Sequence, residues 1–150
     1  MSKPKILIID DEPGSIEAFK IILKDDYDIL FANNGQEGLK IIQQDDIQLV
    51  LLDIVMPEMD GITTLHKIRE IDSELSVVMV TATKSIKSAV EAMKLGAFDY
   101  VTKPFEINEA KLIVRKAMRS RAIMQELEYL RSELKRSYAS VNMVGKSKAI

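Results

Sequence analysis

The sequence contains no cysteine, which excludes a disulfide framework and any thiolate nucleophile or ligand. It has only six glycines and four prolines, too few for a disordered or fibrous segment. No apolar run approaches the roughly 20 residues that span a bilayer, and the N-terminus carries no signal-peptide hydrophobic region. A cytoplasmic protein without membrane contact is the expectation. Histidine is nearly absent. His66 falls inside a helical pattern without partner ligands, so it reads as a surface or boundary residue and not as a phosphohistidine. Two phosphate-binding signatures are missing as well. No GxGxxG follows the first strand, and Gly145-Lys146-Ser147 is not a P-loop, because the required upstream glycine position is Ser140 and no strand precedes it.

What remains is a chain of 150 residues, 47% apolar and 29% charged, which is enough for one packed domain and a small appendage. The net charge of -2 conceals a division. Residues 1–106 carry 11 Lys/Arg against 19 Asp/Glu, whereas residues 107–138 carry 8 against 4. An acidic body repels nucleic acid and suits a hard cation, and the basic segment is too mixed for a DNA-binding stripe. No direct nucleic-acid contact is expected in this chain.

Five short apolar runs alternate with helical patterns. Lys5–Asp10, Asp28–Ala32, Gln48–Leu52, Ser76–Val80 and Ala97–Val101 read as strands. Helices are expected from Pro13 and over Gln36–Gln44, Ile62–Ile71 and Lys84–Leu95. This alternation implies βαβ crossovers, hence a doubly wound α/β fold with a parallel sheet covered on both faces. Ligands in such folds sit beyond the C-terminal ends of the strands. The residues expected there are Asp10, Asp11, Asp53, Thr81 and Lys103.

A further helical pattern starts near Glu106 and runs on. Ile107, Ala110, Ile113, Val114 and Ala117 can cover the sheet, after which Ile123, Leu127, Leu130 and Leu134 repeat at spacings of 4, 3 and 4. A helix over Glu109–Ser137 would be about 43 Å long. With Leu127 and Leu134 at a and Ile123 and Leu130 at d, Glu126 falls at g and Arg131 at e, as suits a parallel dimer. The competing reading is a solvated linker helix whose stripe packs on its own domain or on a partner outside this chain, and Ser120 and Ser137 weaken the ends of the seam. Ala139–Ile150 show no firm period.

Asp10, Asp11 and Asp53 come from two strand ends that a doubly wound order can set side by side. Clustered carboxylates are costly unless a cation neutralises them, and an oxygen set without His or Cys suits Mg2+. The same charge would let Asp53 act as a nucleophile toward a phosphoryl donor, with Lys103 and the Thr81 hydroxyl on the phosphoryl oxygens. Individually each signal is weak: an acidic pair after a strand often caps a helix. Their weight is joint, because all fall on one edge of one sheet.

With those residues in hand, residues 3–119 resemble the CheY-like receiver domains of response regulators. The resemblance rests on ILIIDDEP, LVLLDIVMPEMDGI, VVMVTA and GAFDYVTKPF in that order. It implies a (βα)5 flavodoxin-like sheet of order 2-1-3-4-5 with an extended C-terminal helix. It implies Asp53 as acceptor from a histidine kinase, Asp10, Asp11 and the Val55 carbonyl with Asp53 around Mg2+, a Thr81–Tyr100 switch pair and a cis Lys103–Pro104 bond. The output surface would be helix four, strand five and helix five. Glu58, often Gly in the family, and Thr83-Lys84 depart from the pattern and leave rates in doubt. KSIKSAVEAMKLGAFDYVTKPF and the long helix are similar to the NtrC-type subgroup, and MVGKSKAI resembles the opening of the AAA+ domain of sigma-54-dependent activators. The expected division is then a receiver at 1–119, a coiled-coil linker and homodimer segment at 120–138, and the start of a following domain at 139–150. The parent protein would contact sigma-54 polymerase and DNA. On this reading the chain is not an enzyme beyond Mg2+-dependent self-phosphorylation and self-dephosphorylation. Two alternatives are a Mg2+-dependent hydrolase with Asp53 as nucleophile and a receiver-like module that only dimerises.

Overall fold

The computed structural model describes residues 3–82 and 86–145. Thr83, Lys84 and the last residues of the MVGKSKAI segment lie outside them. The elements run β1 (Lys5–Ile9), α1 (Pro13–Leu23), β2 (Asp28–Ala32), α2 (Gly35–Gln44), β3 (Leu49–Asp53), α3 (Gly61–Ile71), β4 (Ser76–Thr81), α4 (Ile86–Lys94), β5 (Asp99–Thr102) and α5 (Ile107–Gly145). The sheet is parallel in the order β2-β1-β3-β4-β5, the doubly wound, flavodoxin-like order expected.

Strand parity builds two cores. Leu7, Ile9, Val50, Leu52, Val77 and Met79 pack under α2, α3 and α4, with Leu65, Ile68 and Ala92 facing them. Their alternates Ile6, Ile8, Leu49, Leu51, Val78 and Val80 pack under α1 and the first turns of α5, against Ile16, Phe19, Leu23, Ala110, Val114 and Ala117. The central strands are therefore buried on both faces, which is why they read as continuous apolar runs. Each such side chain removed from water contributes about 1.5–3 kcal/mol. The Phe19 and Phe105 rings stack with centroids 4.4 Å apart, tying α1 to the segment that leads into α5.

Helix starts follow local chemistry. Pro13 opens α1, Asn34 Oδ1 accepts from the Glu37 amide at 2.8 Å, and Asp60 Oδ1 accepts from the Thr63 amide at 2.8 Å. Each such cap contributes about 1 kcal/mol.

Most boundaries differ from expectation by a residue or two, and three of the differences have a local cause. Strand β3 includes Asp53, whose backbone pairs with Val80. Strand β5 begins at Asp99 because the preceding residues are still closing α4: Gly96 takes φ +84° and the Ala97 amide donates to the Ala92 carbonyl. Helix α5 continues past Ser137 to Gly145 and is 39 residues long. Nothing from Tyr138 to Val144 breaks a helix, so a lapse in apolar period did not end it. The chain divides into compact units at Met1–Met118 and Arg119–Ile150. In the second, Ile123, Leu127, Leu130 and Leu134 are all exposed. Among the described residues no helix is long and apolar enough to cross a membrane.

Candidate functional site

The sheet order sets β1 beside β3, and Ile9 lies opposite Leu52. The next residue on each strand, Asp10 and Asp53, thereby meets its neighbour at the C-terminal edge. Oxygens of Asp10, Asp11 and Asp53 lie within 4.8 Å of one another. Asp10 and Asp53 are buried and Asp11 is exposed, so the cluster is open on the Asp11 side.

Each buried carboxylate is aimed by a main-chain amide two residues on. Asp10 Oδ1 accepts from the Glu12 N–H at 2.9 Å, and Asp53 Oδ1 accepts from the Val55 N–H at 3.2 Å. The second oxygens face one ammonium. Lys103 Nζ is 3.0 Å from Asp10 Oδ2 and 3.3 Å from Asp53 Oδ2. Burial is the main reason the Asp53 carboxyl is pushed up to about 6, with the Asp10 charge adding to it; Lys103 and the Val55 amide pull the other way. Burial alone would lower the Lys103 ammonium, but hydrogen bonds to Glu12 and Asp10 and the charges of Asp53 and Asp10 outweigh it and hold it above its ordinary range.

Thr81 ends β4 with its residue buried, one position beyond Val80, the cross-strand partner of Asp53. Its carbonyl accepts from the Lys103 amide at 2.7 Å, which locks the end of β4 to the turn carrying the lysine. The Lys103–Pro104 bond is cis. Val55 follows the acidic strand with an exposed side chain, so only its backbone addresses the site. Tyr100 lies on β5 opposite Met79 and is 45% exposed.

The loop from 54 to 60 returns tightly under the cluster. The Gly61 amide donates to the Ile54 carbonyl at 2.8 Å, and Glu58 adopts φ 68°, a left-handed conformation that favours glycine. Two residues with structural weight here were not singled out from the sequence. Glu12 Oε1 is a third carboxylate on Lys103, at 2.9 Å. Arg69 clasps main-chain carbonyls of Leu95 (2.7 Å), Leu75 (2.6 Å) and Gly96 (2.8 Å), joining α3 to the C-terminal end of α4 and to the turn that enters β4. Arg69 belongs to no motif and Glu12 lies within ILIIDDEP without a role of its own, and the partners of both are set by tertiary packing. The adjacency of Glu12 to the acidic pair was the sole available signal.

Chemically, the cluster is a set of hard oxygens without His or Cys. Such a set could hold a metal ion, and the chemistry of its donors suits a hard divalent cation. The buried Asp53 carboxylate, with a cation beside it, is arranged to receive an electrophile.

Comparison with known proteins agrees with the geometry. The family pattern of the response regulator receiver domain matches residues 6–115. The regulatory protein AtoC of Escherichia coli K12 is 36% identical over 135 residues, covering 89% of this chain and 29% of AtoC. The structure of NtrX from Brucella abortus superposes with a TM-score of 0.81 at 30% identity, covering 85% of this chain and 29% of NtrX. A CheY-like receiver domain from Methanospirillum hungatei gives a TM-score of 0.79 at 27% identity, covering 82% of this chain and 99% of that one. The chain thus spans less than a third of the length of AtoC and NtrX.

Proposed function

The chain belongs to the response regulator receiver domain family, in its NtrC-type subgroup, and from that premise we propose that Asp53 accepts a phosphoryl group from the phosphohistidine of a histidine kinase. The observation that carries this reading is the juxtaposition of a buried Asp53 with Asp10, Asp11 and the ammonium of Lys103 at one sheet edge.

In the transfer, an Asp53 oxygen forms a bond to phosphorus as the bond from phosphorus to the donor nitrogen breaks, leaving an aspartyl phosphate and a neutral imidazole after protonation. A Mg2+ ion bound by Asp10, Asp11, Asp53 and the Val55 carbonyl would supply charge screening between the anionic donor and the carboxylate. The protein's own groups do the positioning. Lys103 neutralises one phosphoryl oxygen and the Thr81 hydroxyl donates to another. Thr81 and Tyr100 form the switch pair: the new charge of about -1.5 to -2 draws the hydroxyl toward residue 53 and the aromatic ring inward. No turnover of an external substrate is required, beyond self-dephosphorylation.

The receiver comprises residues 1–119, residues 120–138 associate as a parallel coiled coil between two copies, and residues 139–150 lead into a following domain. Similarity to AtoC and to the transcriptional regulatory protein ZraR supports a transcriptional output, here control of a sigma-54-dependent AAA+ ATPase through dimer geometry.

Acetyl phosphate with Mg2+ tests the acceptor assignment. Intact mass is expected to show one base-labile phosphoryl group on the wild type and none on Asp53→Asn. Equal labelling of the two proteins would remove Asp53 from the role.

A further inference from the structure

Lys103 is shared among three carboxylates, and only two of them belong to the acceptor and metal set. Glu12 Oε1 is the nearest, at 2.9 Å from Nζ, against 3.0 Å for Asp10 and 3.3 Å for Asp53. Exposure separates them. The Asp10 and Asp53 side chains are 2% and 4% exposed, Lys103 is 11% exposed and Glu12 is 63% exposed. Lys103 therefore bridges from the buried pair to a carboxylate at the solvent mouth of the site.

Glu12 is not committed elsewhere. It occupies the N-cap position of α1, yet its side chain accepts no capping hydrogen bond from that helix. Its main chain is fixed, because its amide donates to Asp10 Oδ1 at 2.9 Å. The carboxylate is thus tethered within reach of Lys103 while remaining hydrated. Any phosphoryl oxygen that engages Lys103 meets a charge-assisted hydrogen bond already made and a negative charge beside its path.

We propose that Glu12 is a specificity-determining residue of the acceptor reaction, occupying Lys103 and charging the mouth so that small dianionic phosphodonors are disfavoured relative to less anionic ones. The inference rests on the acceptor reading of Asp53. A unit charge some 7 Å from a dianion in a water-like medium changes an encounter rate roughly three- to tenfold at low salt, and less for a monoanion.

Two donors separate charge from chemistry. With acetyl phosphate, the Asp53 oxygen–phosphorus bond forms as the phosphorus–oxygen bond breaks and acetate leaves. With phosphoramidate, which carries one less net negative charge, the phosphorus–nitrogen bond breaks and ammonia leaves with the proton already on its nitrogen.

Second-order labelling rates of the full chain with Mg2+ are compared for wild type, Glu12→Gln and Glu12→Asp. Glu12→Gln is expected to accelerate acetyl phosphate labelling roughly three- to tenfold and phosphoramidate labelling by a smaller factor, with the difference collapsing near 0.5 M salt. Glu12→Asp keeps the wild-type ratio of the two donors. A Glu12→Gln protein in which both donors change by one common factor, or in which acetyl phosphate labelling slows, overturns the inference while leaving Asp53 as acceptor. Absence of labelling in the wild type with either donor overturns the acceptor reading and this inference with it.

Discussion

A Cβ at position 61 would collide with the carbonyl oxygen of Asp53 and stand 2.6 Å from the Cα of Ile54. Gly61 is thus the residue that lets α3 begin directly under the acidic strand, and both obstacles are backbone. Helix propensity alone favours alanine there by about 1 kcal/mol, but overpacking against rigid main chain costs about 1–3 kcal/mol. Gly61→Ala is therefore expected to lower the urea midpoint with an unchanged slope. A midpoint equal to or above that of the wild type would show that the loop 54–60 yields freely.

The raised Asp53 carboxyl gives a pH signature. Its folded value of about 6 exceeds the unfolded value of about 3.9, so the folded state binds the proton more tightly. The associated stability is complete below about pH 4 and is lost as pH rises through about 6. In the absence of divalent cations, the difference in melting temperature between wild type and Asp53→Asn is expected to shift in favour of the variant from pH 4 to 7 and to level off above. Taken from below the unfolded value to above the folded one, the free-energy change is on the order of 3 kcal/mol. A flat difference across that range would place the carboxyl at its ordinary value.

Magnesium is expected to reverse the sign. A ligand that binds only the folded state stabilises it by RT ln(1 + [L]/Kd), about 2.7 kcal/mol at a hundredfold excess over Kd. Added Mg2+ at pH 7 is therefore expected to raise the wild-type melting temperature and to raise that of Asp53→Asn or Asp10→Asn by less. Calcium-free titration followed by calorimetry checks it, and identical shifts in all three proteins would move the cation site elsewhere.

Arg69 donates to four main-chain carbonyls, those of Leu75, Leu95 and Gly96 and, at 3.4 Å, that of Asp72, and burial lowers its pKa from the ordinary guanidinium value. Removing it strands acceptors at the C-terminal end of α4, at about 1–3 kcal/mol for each that stays dry. Arg69→Met is expected to lose several kcal/mol and to speed amide exchange at Leu95 and Gly96. Arg69→Lys is expected to recover little, because one ammonium cannot reproduce the planar fork. Full rescue by lysine would reduce the clasp to simple charge.

Leu127 is 42% exposed at the centre of the apolar repeat of α5. If residues 120–138 pair in parallel, Leu127→Glu introduces like charges across the seam and weakens self-association, seen as a shift to monomer in sedimentation velocity. An unchanged dimer would assign the interface to the receiver faces.

The fold was largely legible because its strands are buried on both faces: KILII and LVLLD can be little else between helical patterns. Alignment of Asp10, Asp53, Thr81 and Lys103 on one edge followed from parallel strands all ending there. What sequence did not disclose were contacts made to main chain or across distant loops. Arg69 looks like an ordinary helix-surface cation until Leu75, Leu95 and Gly96 present carbonyls to it. Glu12 reads as a helix-start acid until the cis turn brings Lys103 to it, 91 residues later. The end of α5 lies beyond Ser137 because apolar periodicity reports burial, and a helix continues without it where no residue breaks it.

The pairing of Ile9 with Leu52 has an engineering consequence. Asp10 and Asp53 are held level by strand alignment, so their spacing does not depend on the loops between them. Lengthening the turns around residues 24–27 or 45–48, at the opposite edge, leaves the two carboxylates side by side. Deleting a single residue within Leu49–Leu52 instead sends the side chains on one side of the deletion to the opposite face of the sheet. The spacing of the acidic pair belongs to two neighbouring strands and not to a loop.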